Sequence, residues 1–191
     1  IIGKSTDGTN DHEKLHGIFD PSSVYPLFAN SLRGHYKQSI NEHMKATGEL
    51  FETFSKVASK NEFAWFPIHR SASEISEVKP ENRMIGLPYT KYMNSIMRVN
   101  QSCAMVMMSA KKARELGIPE SKWIFIYSGS CVNDIWNVSD RTNYHSSPAI
   151  KGCTEGVFEL ANISIDELDF IDLYSFFPSA VQIAMKELSL E

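Results

Sequence analysis

Three cysteines are all the sequence offers, Cys103, Cys131 and Cys153, and they stand far apart. An odd count with no C-x-x-C pair excludes a disulfide framework and a zinc knuckle, and makes a reducing, cytoplasmic compartment the expectation. Basic runs are missing too: no more than two Lys or Arg are adjacent, and the formal net charge is -4. Such a surface gives no electrostatic footprint for nucleic acid or for an anionic membrane. No apolar stretch approaches the length of a bilayer span, and the opening Ile1-Ile2-Gly3-Lys4 is too briefly apolar for a signal peptide. A phosphate-cradling glycine loop and a G-x-S-x-G elbow are absent as well, which sets aside the common nucleotide-binding and hydrolase signatures.

What is present is the balance of a globular chain: 191 residues, 42% hydrophobic and 22% charged. That is room for one domain or for pieces of two. The chain begins at Ile1 rather than Met and stops at Glu191 directly after an apolar-periodic helix, so a processed chain or a piece of something longer is expected. Residues 1–20 are polar and read as a loop. From Ser22 the pattern turns helical, with Tyr25, Phe28, Ala29, Leu32 and Tyr36 on one face. Ser39 and Glu42 form a capping box that opens a second helix, whose face runs through Ile40, His43, Thr47, Leu50, Phe51, Phe54 and Val57. Residues 61–98, broken by Pro67, Pro80 and Pro88, read as irregular. The first half is therefore expected to be helical and loop-rich, without a clear strand.

The second half alternates. The apolar runs at 104–108, 123–127 and 170–174 have strand length and the continuous hydrophobicity of strands buried on both faces. Between and after them come helix signals: Ser109 as a cap with Gly117 and Pro119 as terminators, Ser147-Pro148 as a cap followed by proline at the first helical position, and Pro178 before the last helix. The helix after Ser147 should carry Ile150, Cys153, Val157, Leu160 and Ala161 inward and end at Asn162. This order predicts an α/β layer with parallel strands and right-handed crossovers.

Each candidate for chemistry has a plain alternative. His12-Glu13-Lys14-Leu15-His16 matches H-E-x-x-H, a zinc-protease pattern that needs a stable helix. With Leu15 its only large apolar residue and Gly17 next to it, the segment has nothing to pack against, and a chance match without metal is the better reading. Cys131, in a turn-like Ser128-Gly129-Ser130 context, lacks a helix start behind it and reads as a small turn or core cysteine. Cys103 and Cys153 read as buried packing residues. His145 precedes a helix N-terminus, a place where an anionic or carbonyl group can sit, and equally an ordinary loop position. Tyr174 and Ser175 fall at the carboxyl end of an expected parallel strand, where ligand sites of open α/β sheets collect. The same tyrosine could simply pack, since Phe176 and Phe177 follow.

Taken in order, Asn82-Arg83-Met84-Ile85, Pro88-Tyr89-Thr90-Lys91, Val99-Asn100-Gln101-Ser102-Cys103-Ala104, the stretch from Ser109 to Pro119, Ser147-Pro148-Ala149-Ile150 and the run from Ile165 to Ala180 resemble the thiolase superfamily. They are most similar to its acetyl-CoA acetyltransferase-like group near the sterol-carrier-protein-type thiolases. Tyr25-Pro26-Leu27-Phe28 and Phe54-Ser55-Lys56-Val57-Ala58 resemble that group too. The resemblance implies an α/β chain, a partial thiolase fold of layered α/β/α type with a helical, loop-rich insertion domain. On that plan residues 1–90 are a segment of the CoA-binding-like loop domain, 91–120 the last strand and helix of the first thiolase half, and 121–191 the start of the second half.

The function implied is CoA-dependent acyl transfer in lipid metabolism: thiolytic cleavage or Claisen condensation, with coenzyme A as substrate and no tightly bound cofactor. The family's nucleophilic cysteine, its His-Gly segment and its second cysteine have no counterpart among these residues, so this chain alone is expected to be inactive. Where many thiolases carry Asn-Glu-Ala-Phe, this sequence has Tyr174-Ser175-Phe176-Phe177, which sets Tyr174 at the position that orients a catalytic water. Met97 matches a CoA-contacting serine, with Ser95 two positions away, and Arg83 falls near an arginine that lies against the adenine. Arg83, Ser95, Met97 and His145 are thus the substrate candidates, with acyl-CoA as the ligand. A homodimer, or a complex with a thiolase-like partner, is implied, and so is the alternative of a non-catalytic acyl-CoA-binding protein or subunit.

Overall fold

The computed structural model describes residues 8–190, and it starts with a helix where a loop was expected. Helix α1 (Asp11–Leu15) forms on a capping box: Asn10 accepts from the Glu13 N–H, and Glu13 accepts from the Asn10 N–H. Its packing partner is polar, which apolar periodicity could not reveal. The buried Glu13 carboxylate accepts from the Ser139 N–H at 2.6 Å, and the Asn10 amide donates to Ser139 Oγ at 3.1 Å. Residues 1–7 of the expected loop lie outside the described residues.

Helix α2 (Pro21–His35) opens on proline, and α3 (Ile40–Ala58) opens on the expected Ser39–Glu42 capping box. A third capping box, Ser71 with Glu74, starts the short α4 (Ala72–Ser76). Helix α4 lies so close to α3 that a Cβ on Gly48 would meet the Ala72 carbonyl oxygen at 2.6 Å. Two short strands, β1 (Met84–Gly86) and β2 (Tyr89–Thr90), form an antiparallel hairpin around the cis Leu87–Pro88 bond. The expectation of a strandless first half is corrected here. These strands are too short to show a two-residue period, so no pattern could announce them.

The core gathers Ala29 of α2, Ile75 of α4, Tyr89 of β2, Met93 and Phe177, with Tyr25, Phe51 and Phe176 packed against it. Polar groups close it. The wholly buried Asn82 donates to the carbonyls of Glu74, Ile75 and Glu77 and accepts from the Tyr92 N–H, while Thr90 donates to Ile75 O at 2.6 Å. The open carbonyls at the end of α4 are thereby satisfied.

The second half keeps the expected order of segments but not their pairing. Helix α5 (Ala110–Glu115) is capped by Ser109. Helix α6 (Pro148–Ala161) is capped by Ser147 and ends on a left-handed Asn162. Helix α7 (Pro178–Glu187) docks on α2, and its first-turn Ser179 N–H donates to the buried Tyr89 hydroxyl at 3.1 Å. The runs at 104–108, 123–127 and 170–174, expected as buried parallel strands, are instead unpaired threads. Among the described residues the hairpin is the whole of the sheet structure. A continuous apolar run specifies burial on two faces, and no described neighbour supplies those faces: Ile124 and Phe170 are each 94% exposed.

The helix beside these threads shares their condition. No residue of α6 is buried, so its expected inward face is corrected. Cys153 is half-exposed, its thiol donating to Ser130 O at 3.3 Å. Cys103, next to the unpaired run at 104–108, is exposed rather than a buried packing residue, and Cys131 is exposed too, which sets aside the core alternative for it.

Candidate functional site

Helix α3 turns Phe51, Phe54 and Ser55 toward the segment that returns from it, and a cleft of about 890 Å³ opens there. Its other walls are Phe66, Ile68 and Arg70 before α4, the 91–97 stretch after the hairpin, and the thread 174–177. The volume suits a small-molecule site, and the floor is apolar, as such sites usually are.

The rim is cationic. Arg70 lies 3.9 Å above the centre of the Tyr92 ring, a cation–π arrangement. Its backbone is held by Ser55, whose hydroxyl accepts from the Arg70 N–H at 3.0 Å and shares its own proton between Glu52 O at 3.0 Å and Arg70 O at 3.1 Å. Lys91 shares the lining. Asp20 is the one carboxylate among the described lining residues, and it accepts a bond from the Ser22 hydroxyl. Apolar floor, cationic rim and several hydroxyls together suit a ligand with an anionic head and an apolar body.

Three of the five residues proposed from sequence meet in this cleft: Ser95, Met97 and Tyr174. Tyr174 is 79% exposed, and its ring stacks on Phe176 at 4.5 Å. Phe176 in turn meets Tyr25 edge-on at 4.7 Å. Burial, with Tyr174 adding to it and Arg141 opposing, holds the Tyr25 phenol above its ordinary pKa.

Arg83 and His145 lie outside the lining. Arg83 donates to its neighbour Met84 O at 3.4 Å. His145 stacks on His35 at 4.4 Å, and its Nδ1 is 3.4 Å from Ser31 Oγ. Burial, then the His35 and Lys186 charges, push the His145 pKa down, while Glu187 opposes them.

Arg70 and Tyr92 were not singled out by sequence. They sit in the aperiodic 61–98 stretch, where the available signal was density of aromatics: Phe63, Trp65 and Phe66 stand just before Pro67.

The H-E-x-x-H segment builds nothing comparable. The rings of His12 and His16 meet edge-on at 4.7 Å, but Glu13 is taken up by its bonds to Ser139 and Asn10. Those bonds, the Ser139 N–H foremost, hold its carboxyl below the usual range. Among the described residues no group of three His, Cys, Asp or Glu is placed to hold a metal ion, and no helix is long and apolar enough to cross a membrane.

No known protein-family profile matches the chain. It is 23% identical, over 184 residues, to an acetyl-CoA acetyltransferase of Methanocaldococcus jannaschii, a match that takes in 96% of this chain and 44% of the relative. Its fold superposes on the solved structure of a monomeric SCP2-thiolase-like protein type 1 from Mycobacterium smegmatis with a TM-score of 0.85 and 32% identity. That superposition covers 98% of this chain, the unpaired threads included, and 41% of the neighbour. The chain spans less than half the length of either protein. Its α/β architecture is that of part of a thiolase fold, and the two likenesses together support the thiolase superfamily, on its SCP2-type side, over the part of those proteins that the chain spans.

Proposed function

We propose that the cleft binds the CoA thioester of a thiolase-type acyl transfer, either thiolytic cleavage or Claisen condensation. The observation that carries this reading is the convergence of Ser95, Met97 and Tyr174 in one 890 Å³ cleft beside Arg70 and Lys91. Coenzyme A enters as substrate. Its phosphates suit the cations, and its acyl and pantetheine parts suit the apolar floor. Tyr174 would contribute a phenol that both donates and accepts, able to orient a water or to donate to an oxyanion. In this reading residues 1–90 act as a loop-domain segment, 91–120 close the first half and 121–191 open the second. The assembly proposed is a homodimer or a complex with a thiolase-like partner, although the Mycobacterium neighbour is itself described as monomeric.

One observation favours a second reading, a non-catalytic acyl-CoA-binding protein or subunit: none of the three cysteines lines the cleft. Both readings require binding, and they differ in turnover.

Calorimetric titration of the protein with acetyl-CoA tests the shared claim. Saturable binding is expected, and its absence at ligand concentrations of about 1 mM, where even a weak specific site would fill, would remove both readings. An assay of thiolysis and condensation on the same sample should show no turnover by this chain. Turnover would refute the non-catalytic reading and the expected inactivity together.

A further inference from the structure

We infer that Arg70, held 3.9 Å above the centre of the Tyr92 ring, is the anchor for a phosphate of the CoA moiety. The inference deepens the acyl-CoA reading and rests on it.

Three arginines lie over aromatic rings among the described residues, Arg70 over Tyr92, Arg114 over Trp123 and Arg141 over Phe28. Arg141 bonds Asp134 at 2.8 Å, Arg114 lies 3.5 Å from Glu120, and Arg33 donates to Gln38 O at 3.0 Å. Arg70 has an aromatic face beneath it and no carboxylate within ion-pair distance among the described residues. Glu74 is the acid whose charge feels Arg70, but its carboxylate already accepts from the Ser71 N–H at 2.8 Å and the Ser71 hydroxyl at 2.9 Å.

A ring beneath a guanidinium takes up none of its N–H donors, which lie in the guanidinium's own plane and can receive a phosphate through two parallel bonds. Two devices hold the group ready. Ser55 pins the Arg70 backbone through both its N–H and its carbonyl, and Tyr92 limits the side chain. The ordering cost of binding is reduced accordingly. Lys91 on the same lining adds a second positive charge, so the rim attracts anions while the floor attracts alkyl chains. A phosphorylated thioester combines both.

Titrations with CoA, dephospho-CoA and pantetheine, for the protein and for Arg70→Gln, test this. Arg70→Gln should weaken CoA roughly ten- to hundredfold, the range of a charge-assisted bidentate contact, and should leave pantetheine within about twofold. If dephospho-CoA loses the same factor, the diphosphate sits on Arg70. If dephospho-CoA is already weak and indifferent to the substitution, the 3′-phosphate does. Both results support the anchor.

A folded Arg70→Gln that binds CoA as the parent does overturns the anchor and leaves the acyl-CoA reading standing. So does parent protein that binds pantetheine as tightly as CoA, a measurement that needs no variant to fold. Parent protein that binds none of the three overturns both.

Discussion

Residues 8–97 and the threads between 98 and 177 reach opposite states, although the second stretch is the more hydrophobic of the two. In the first region apolar side chains converge on Tyr89 and Met93, joined by Phe177 from the far end of the second, and Asn82, Thr90 and Ser55 reach back to backbone carbonyls and N–H groups. In the second the most apolar segments stand open to solvent. What separates them is satisfaction of the backbone. Asn82, Thr90 and Ser55 tie loops to helix ends locally, whereas an extended thread has its bonds met only when another strand lies alongside. Local closure lets a region complete itself. Ladder closure makes it depend on a neighbour.

The sharpest test of that contrast pairs Asn82→Ala with Phe170→Ala. Removing the Asn82 amide takes the side-chain partner from the Glu74 and Glu77 carbonyls and from the Tyr92 N–H, and leaves Ile75 O with Thr90 alone. Roughly 3 kcal/mol of stability should be lost in urea denaturation. Phe170→Ala removes a larger apolar side chain, yet one already in water, and should change stability by no more than about 0.5 kcal/mol. A loss above about 2 kcal/mol for Phe170→Ala, the range of a buried aromatic, would show that the thread is covered in solution and would erase the difference between the regions.

The next effect depends on pH and also belongs to the self-closed region. Burial first, and the Arg33 charge second, lower the His43 pKa from 6.5 to about 4. Folding therefore favours the neutral imidazole. Its contribution is complete above the unfolded value of 6.5 and is lost as pH falls toward 4. Glu13, Glu42 and Glu74 are shifted below 4.5, so theirs is lost at lower pH still. Between pH 7 and pH 5 the parent should lose roughly 1–2 kcal/mol more than His43→Gln does. Parallel stability curves for the two proteins would place His43 in contact with water.

Much of this contrast was legible in the sequence, and the illegible part has a common cause. Ser39 with Glu42, Ser109, Ser147-Pro148, Asn162 and Pro178 mark helix ends correctly because capping is settled within four residues of chain. The runs at 104–108, 123–127 and 170–174 declare a need for burial but carry no code for who provides it. Helix α1 escaped notice because its anchor, Ser139, is remote in sequence and polar. In the cleft, Ser95, Met97 and Tyr174 came from a resemblance spread over the chain. Arg70 and Tyr92 come from two points of an aperiodic stretch, and only folding brings a guanidinium over a ring.

The smallest expected effects reverse sign between the regions, which makes them informative despite their size. On Gly48 an added Cβ would press on the Ala72 carbonyl at 2.6 Å and on Ser76 Cβ at 3.2 Å, forcing α3 and α4 apart. Overpacking of that kind costs about 2 kcal/mol, and helix propensity returns up to about 1, so Gly48→Ala should lose about 1 kcal/mol. Gly152 lies inside α6 with nothing within 4 Å of such a Cβ. There the propensity gain stands alone, and Gly152→Ala should add roughly 0.5–1 kcal/mol. Equal responses at the two glycines, read as shifts in the urea midpoint, would mean either that α6 is packed as tightly as α3 or that the α3–α4 contact yields. Either result would break the division between a region that closes on itself and one that waits for a neighbour.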